Sequence, residues 1–265
     1  MKNEMDFIEL RNHWYACVYD QTFSSQIEDI EFLLNTIGKE PKKILEVCCG
    51  TGRILVPLAK AKHIVTGIDI DEFMIERISE KSVGMKNIDF FKADALKDEW
   101  GHDYDIIVLA CNIMMNIIAN KDTEKPQKVF IEKAAKALKT GGYIYLDFNI
   151  DKDLDESHEY KNPEWVIFEG IDDRNIFGKF IMCSNGYYDK NTQMSYCNRK
   201  IELNLPNGEK DIYEYSFNKR MPKLNETIEW LKENNFKIEE IYGNYQKETI
   251  SEKTNKVIIY AKKCE

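Results

Sequence analysis

The chain has 265 residues, 43% of them hydrophobic, and a formal net charge of −9. That length and apolar content suit one α/β core with a smaller appendage. The acidic balance speaks against a nucleic-acid groove, which carries a basic excess, and no run of about 18 uncharged apolar residues is present to cross a membrane.

In chain order, residues 7–38 read as two helices. Tyr15 and Tyr19 fall four apart, on one helical face. Ser24 and Ser25 break the pattern. Ile27, Ile30, Phe32, Leu33, Leu34 and Ile37 give the second helix its apolar side, and Gly38 and Pro41 close it. A strand at 43–48 runs into a small-residue turn and a helix at 52–60. Strands at 63–69, 88–92, 104–110 and 142–149 follow, with helices at 71–82 and 124–138. Such alternation is the mark of a parallel sheet with right-handed crossovers.

After Asn149 the texture changes. The acidic stretch 151–156 reads as a linker. Residues 164–220 alternate apolar and polar and carry Trp165, Tyr187, Tyr188, Tyr196, Arg199, Tyr213, Tyr215 and Arg220. Asp189–Thr192 and Pro206–Gly208 read as hairpin turns, so an antiparallel meander of about four strands is expected. A helix at 222–234 returns the chain, and strands at 236–243 and 255–262 close the sheet as an antiparallel pair. The expected architecture is α/β: a doubly wound, mostly parallel seven-stranded sheet with an inserted antiparallel meander. Its divisions are a ligand-binding domain with N-terminal helices at 1–150, a lid over the substrate at 151–220, and a return helix with the closing hairpin at 221–265.

The most informative segment is Leu45-Glu46-Val47-Cys48-Cys49-Gly50-Thr51-Gly52-Arg53. A strand, a tight turn and a helix N-terminus bring backbone N–H groups close to a nucleotide-like ligand. About 20 residues on, the next strand ends in Asp69, where a carboxylate can hold the two hydroxyls of a ribose. Asp71 is the better cap for the helix that follows. The dinucleotide pattern G-x-G-x-x-G fits neither register: the third glycine is replaced by Leu55 or Arg53. Glu46 would also repel a pyrophosphate, whereas it suits a cation. S-adenosylmethionine (SAM) has a sulfonium and an α-ammonium and no phosphate, so charge favours SAM over NAD.

These residues resemble the class I SAM-dependent methyltransferases of small molecules. Their first motif, [D/E]-x-G-x-G-x-G, aligns with Glu46-x-Cys48-x-Gly50-x-Gly52. Cys48 replaces the first glycine, and a small thiol fits there if that residue needs no positive φ. Gly50 and Gly52 are then the close-approach positions. The resemblance continues through Thr66-Gly67-Ile68-Asp69-Ile70, Phe91-Lys92-Ala93-Asp94-Ala95, Tyr104-Asp105-Ile106-Ile107-Val108 and Leu138-Lys139-Thr140-Gly141-Gly142. It covers residues 10–150 well and 220–263 loosely.

The resemblance implies a Rossmann-like fold and SAM as cofactor. It places Glu46 at the methionine end, Cys48, Gly50, Gly52 and Arg53 in the turn that binds the cofactor, Asp69 on the ribose, Ile70 and Met74 on the adenine face, and Asp94 and Ala95 on the adenine edge. Cys111 and Asn112 follow the fourth strand, where the family lines the methionine moiety. Val18-Tyr19-Asp20 is similar to a Tyr-Asp element whose tyrosine covers the sulfonium and acceptor; Tyr15 shares its face. Tyr19 and Asn112 are the expected positioning residues of catalysis.

The acceptor is expected to be a small molecule methylated on N or O. Neither an Asn/Asp-Pro-Pro-aromatic motif (the stretch is Cys111-Asn112-Ile113-Met114) nor a Pro-Cys pair points to nucleobases. His13, His63, His102 and His158 show no ligand spacing, so no metal is expected. Met1–Asp6 lacks the apolar stretch of a secretory signal. The seven cysteines include no C-x-x-C pair and fit free thiols in a reducing cytoplasm. Oligomeric state is left open. The alternatives are a SAM-binding protein without catalysis and, from another class, an NAD-dependent oxidoreductase.

Overall fold

The structure, a computed structural model, describes residues 4–118, 126–150, 156–161 and 163–265. Two helices, α1 (Glu4–Phe23) and α2 (Glu28–Ile37), precede the first strand, β1 (Lys43–Val47). Then come α3 (Leu55–Lys60), β2 (Ile64–Asp69), α4 (Glu72–Lys81), β3 (Ile88–Lys92), β4 (Tyr104–Leu109), a short α5 (Ile113–Asn116), α6 (Pro126–Ala137) and β5 (Leu138–Asn149). Five strands follow: β6 (His158–Lys161), β7 (Trp165–Ile171), β8 (Phe177–Asp189), β9 (Met194–Asn204) and β10 (Lys210–Arg220). The chain ends in α7 (Leu224–Glu233), β11 (Phe236–Tyr242) and β12 (Lys256–Lys263).

A seven-stranded sheet has the order β11-β12-β5-β4-β1-β2-β3. Its β1, β2, β3, β4 and β5 pair in parallel, whereas β12 runs antiparallel to both β5 and β11. The central strands are buried on both faces, which is why β1 and β4 read as nearly unbroken apolar runs. Apolar side chains pack on either side of them in two clusters, one around Ile107, Leu146 and Phe130, the other around Leu55, Leu58 and Ile106. This is the doubly wound α/β architecture read from the sequence. No helix among the described residues is long and apolar enough to cross a membrane.

The inserted strands form a second, antiparallel sheet, with β10-β9-β8-β6 in line and β7 also pairing with β8. Residues 164–220 hold the four expected strands, β7 to β10, and β6, which precedes that range, adds a fifth. The extra strand arises because β8 is long enough to serve two partners in succession, β7 along Phe177–Met182 and β6 along Asn185–Tyr188, with a register shift between Met182 and Gly186. The two expected hairpin turns join β8 to β9 and β9 to β10. Of the expected acidic linker, 151–155 lies outside the described residues.

The two sheets meet through helices. Trp14, Val18, Phe168, Phe180, Ile201 and Leu203 form one cluster that docks α1 on the second sheet. Close approach is possible because Gly178 has no side chain: a Cβ there would lie 2.4 Å from the Trp14 ring and 2.5 Å from Leu203. At the other end of the same sheet, Tyr188 and Met221 pack with Met115 of α5. Both helices flank the carboxyl ends of the parallel strands.

Candidate active site

The turn after β1 is built from left-handed residues. Cys48, Gly50 and Gly52 have φ of 59°, 53° and 75°. The sequence expectation for Cys48 is therefore corrected: this position does need a positive φ, and a non-glycine residue holds it at a conformational cost of about 1–2 kcal/mol. Its side chain packs against the main core, where burial pushes the thiol well up. The two glycines differ. A Cβ on Gly50 would meet nothing within 4 Å, whereas one on Gly52 would come within 2.9 Å of Ile78 on α4. Gly52 thus lets α4 approach, and Gly50 is the residue that leaves open space beside the backbone. Gly67, quoted in the sequence only within the strand that ends at Asp69, lets α3 pack on β2: a Cβ there would lie 2.5 Å from Leu55 and 2.8 Å from the Cys49 sulfur.

Asp69 stands at the tip of β2. Its Oδ2 accepts the Gly50 N–H at 2.7 Å and its Oδ1 accepts the Asp71 N–H at 2.9 Å. Asp71 caps α4, accepting from Phe73 and Met74, as its position in the sequence suggests. Asp69 is therefore not spare: it ties the turn to β2, while its remaining lone pairs can accept further hydroxyls. Burial raises its carboxyl. Next to it, Ile70 is 61% exposed, an apolar side chain presented to open space. Met74 is half-buried on α4.

Glu46 is the electrostatic oddity. It is 5% exposed, and among the described residues its Oε2 has no hydrogen-bond partner. Burial pushes its carboxyl up to about 8, against the lowering effect of Arg53 and of the Leu55 N–H. A buried carboxylate with a vacant oxygen costs free energy unless a cation or donor meets it.

Arg53 is committed within the protein. Its guanidinium forks onto Asp29, with Nη1 2.8 Å from Oδ1 and Nη2 on Oδ2, and it also reaches the Gln26 carbonyl and the Cys111 sulfur. Asp29, buried in the first turn of α2, was missed from the sequence. Nothing local marks an acid in a helix's first turn as the partner of an arginine on the far side of a strand.

Asp94 makes the tight turn that competes with a ligand role. It accepts from the Leu96 N–H at 3.0 Å and from Lys97 at 2.6 Å, and the Lys97 hydrogen bond holds its carboxyl below the usual range. Lys97 is 81% exposed, so this partner can swing away. Ala95 is buried beside it. Asn112 has φ 63°; its Oδ1 accepts the Asn149 N–H at 2.6 Å, and its own N–H donates to the Asp147 carbonyl. Its amide clamps the ends of β4 and β5 together.

Tyr15 and Tyr19 stack at 6.0 Å between ring centroids, and both meet Phe168 of the second sheet. Burial pushes the Tyr19 hydroxyl up to about 12. His13 is not isolated in space: its Nε2 lies 2.6 Å from Asp173, and the two form a group with Asp172 whose ligand atoms all fall within 4.8 Å. Arg77 already supplies that group with a cation, 3.1 Å from Asp173.

A cavity of about 670 Å³ opens at the carboxyl ends of the parallel strands. Tyr19, Cys48, Asp69, Ile70, Asp94, Ala95 and Cys111 line it, together with Ile113, Asn116, Ile117 and Phe130. Tyr15, Glu46, Gly50, Gly52, Arg53, Met74 and Asn112 are not part of its lining. Such a site offers a carboxylate at a strand tip, apolar flanks and a nearby orphaned acid. It can take a ligand with a diol, a flat apolar ring and positive charge; a pyrophosphate would meet Asp69 and Asp94, with Lys97 as the one cation among the described lining residues.

The sequence profile of the methyltransferase-domain family matches residues 44–142, which span β1 to the start of β5. A protein of Geobacillus sp. (strain WCH70) named as a candidate methyltransferase is 22% identical over 95% of this chain and 97% of its own. Among solved structures, a SAM-dependent methyltransferase from Clostridium acetobutylicum superposes with a TM-score of 0.70 at 16% identity, covering 95% of this chain and 98% of that one. The sugar N-methyltransferase KedS8 from Streptoalloteichus sp. gives 0.67 at 12% identity, covering 94% and 93%. At such identities the structural likeness is one of fold.

Proposed function

We propose, starting from the premise that this chain is a SAM-dependent methyltransferase of class I, that it methylates nitrogen or oxygen of a small molecule held between the cavity and the second sheet. The observation that carries this reading is the vacant, buried oxygen of Glu46 at the end of β1. It suits the positively charged methionine end of SAM. Asp69 then takes the ribose hydroxyls, Ile70 and Met74 cover the adenine, Asp94 and Ala95 meet its edge, and Tyr19 lies over the sulfonium. Residues 151–220 act as the lid and acceptor platform, since the second sheet docks on α1 and α5, which both contribute to the cavity wall. Free cysteines throughout suit a cytoplasmic setting.

The reaction is an in-line displacement. The acceptor's lone pair forms the bond to the methyl carbon as the carbon–sulfur bond breaks, and the electron pair leaves with S-adenosylhomocysteine. Proximity and exclusion of water supply most of the rate. Both acids of the cavity wall are engaged by the protein, Asp69 by two backbone donors and Asp94 by Lys97. Among the described residues of the wall, then, neither carboxylate stands without a protein partner. That favours a neutral amine, or an oxygen already acidic, over an alcohol. The sugar N-methyltransferase of the same fold is in keeping with an amine.

Thermal-shift measurements with SAM, S-adenosylhomocysteine and NAD test the cofactor, and transfer of a labelled methyl group to metabolite fractions tests the reaction. SAM and its product should raise the melting temperature and NAD should not; binding of NAD alone would end this reading. Asp69→Ala should weaken SAM by roughly 1–3 kcal/mol, the worth of charge-assisted hydrogen bonds, and should also lower the melting temperature by releasing the Gly50 and Asp71 N–H groups. Asp69→Asn, which can keep one of those acceptors, should melt higher than Asp69→Ala. Titration calorimetry showing unchanged SAM affinity in both variants would remove Asp69 from the ribose.

A further inference from the structure

The second sheet has a wet face and a covered face. Along β9, Cys197, Arg199, Ile201 and Leu203 are buried, and the alternate residues Tyr196, Asn198 and Asn204 are exposed. The register places Tyr215, Phe217 and Lys219 of β10 beside Arg199, Cys197 and Ser195 on the covered face. This face is pinned at two places. One end packs on α1 through Gly178, Phe180 and Leu203; the other packs on α5 through Tyr188. Arg199 and Lys219 lie in the interval between, and the helices at its two ends supply Tyr19, Ile113 and Asn116 to the wall of the cofactor cavity.

What occupies that interval is positive, and no described residue neutralises it. Arg199 is 7% exposed, and its Nε has no hydrogen-bond partner among the described residues. No carboxylate among them pairs with either Arg199 or Lys219. The guanidinium rests on aromatic rings instead, 5.2 Å from the centroid of Phe180 and 4.5 Å from that of Phe217. The Lys219 ammonium lies over the same Phe217 ring at 5.5 Å. Burial first, and then the neighbouring Arg199, lower the Lys219 ammonium. Two half-buried arginines of the chain do have acid partners, Arg53 with Asp29 and Arg11 with Asp211. Two adjacent half-buried or buried cations without an anion are costly, and a planar guanidinium beside an ammonium is suited to an oxyanion.

We propose that the methyl acceptor is an anionic small molecule whose carboxylate or phosphate is held by Arg199 and Lys219 on the covered face of the second sheet. The proposal rests on the methyltransferase reading for the word acceptor, but the anion site stands on Arg199 and Lys219 alone. The Tyr15 ring lies edge-on to Phe180 at 5.0 Å and stacks on Tyr19, so an aromatic path links the cations to the cavity wall. An acceptor anchored by its anionic end at Arg199 would extend along this path toward the sulfonium.

The test uses the whole chain, with and without saturating S-adenosylhomocysteine, titrated with benzoate, phenyl phosphate and neutral benzamide. At least one of the two anions should bind at least tenfold tighter than benzamide, and their ranking tells a carboxylate site from a phosphate site. Arg199→Gln should abolish that preference, Arg199→Lys should retain part of it, and Lys219→Gln should weaken it less than Arg199→Gln. Arg199→Gln should melt no lower than wild type, because a buried charge without a counter-ion is removed. If Arg199 served only to brace the aromatic rings, Arg199→Gln would melt lower and leave the anion preference intact, which overturns the proposal; so do anions that bind wild type no better than benzamide. The shift produced by S-adenosylhomocysteine on the same samples reports the cofactor site separately, so failure there leaves the anion result to be judged independently.

Discussion

Gly50→Val should abolish SAM binding in a protein that still folds. Gly50 sits at φ 53°, in the left-handed region, and a Cβ there would project into open space rather than into the core. A β-branched residue in that conformation is a steric outlier costing at least about 1–2 kcal/mol. Its methyl groups would then fill the gap through which the backbone meets the cofactor, and the Gly50 N–H bond to Asp69 would be displaced. Together these should weaken SAM at least about 100-fold, or about 2.7 kcal/mol. Gly50→Ala, which adds strain but little bulk, should lose less. Calorimetric titration with SAM, on variants whose circular dichroism matches wild type, reads the difference. Near-normal affinity in a folded Gly50→Val protein would mean that the cofactor does not approach this turn. The same change at Gly52 would act through Ile78 instead, and should show in the melting temperature first.

The contrast between these two glycines marks how far the sequence alone could go. The strand, the turn, the helix and the acid at Asp69 lie close together in the chain and carry a local pattern, so the main sheet and the cavity that its strand tips create were legible. Cys48 was legible as a departure from the glycine pattern, but its positive φ was not, because a sequence does not say which turn residues bend left. Contacts across long separations were opaque. The sequence reads Arg53 and Asn112 for the ligand but does not show that Asp29 holds the first or that the second bonds the backbone of Asn149. The extra strand of the second sheet was hidden for a different reason: β6 is only four residues long, His158–Lys161, and follows directly on the acidic stretch read as a linker, too short a run for a period of two to show. That no described carboxylate meets Arg199 is likewise invisible in one dimension, since any of the chain's acids could have done so.

Removing the charge of Glu46 should flatten the pH dependence of both SAM binding and stability. In the folded, cofactor-free protein its carboxyl is pushed up to about 8, chiefly by burial, against an ordinary value of 4.5. Between those two pH values the folded state holds a proton that the unfolded state has given up. Raising the pH therefore destabilises the folded form, by up to about 1.4 kcal/mol per unit from this group. Glu46→Gln mimics the protonated acid and removes that slope, so the variant should gain on wild type in chemical denaturation as the pH rises from about 5 to about 8. Cofactor binding runs the opposite way. The positive charge of SAM favours the ionised carboxylate, so binding must expel the proton below pH 8, and wild-type affinity should climb by up to about tenfold per unit as the pH approaches 8. In Glu46→Gln the affinity should be weaker at pH 8 by about 3–5 kcal/mol, the range for losing a buried charge partner, and should vary little between pH 6 and 8. S-adenosylhomocysteine keeps the α-ammonium but lacks the sulfonium, so it separates the two positive groups: a loss confined to SAM would place Glu46 at the sulfonium, and an equal loss for both would place it at the ammonium. A wild-type SAM affinity that is flat with pH, matched by Glu46→Gln, would show that the orphaned oxygen of Glu46 meets neither.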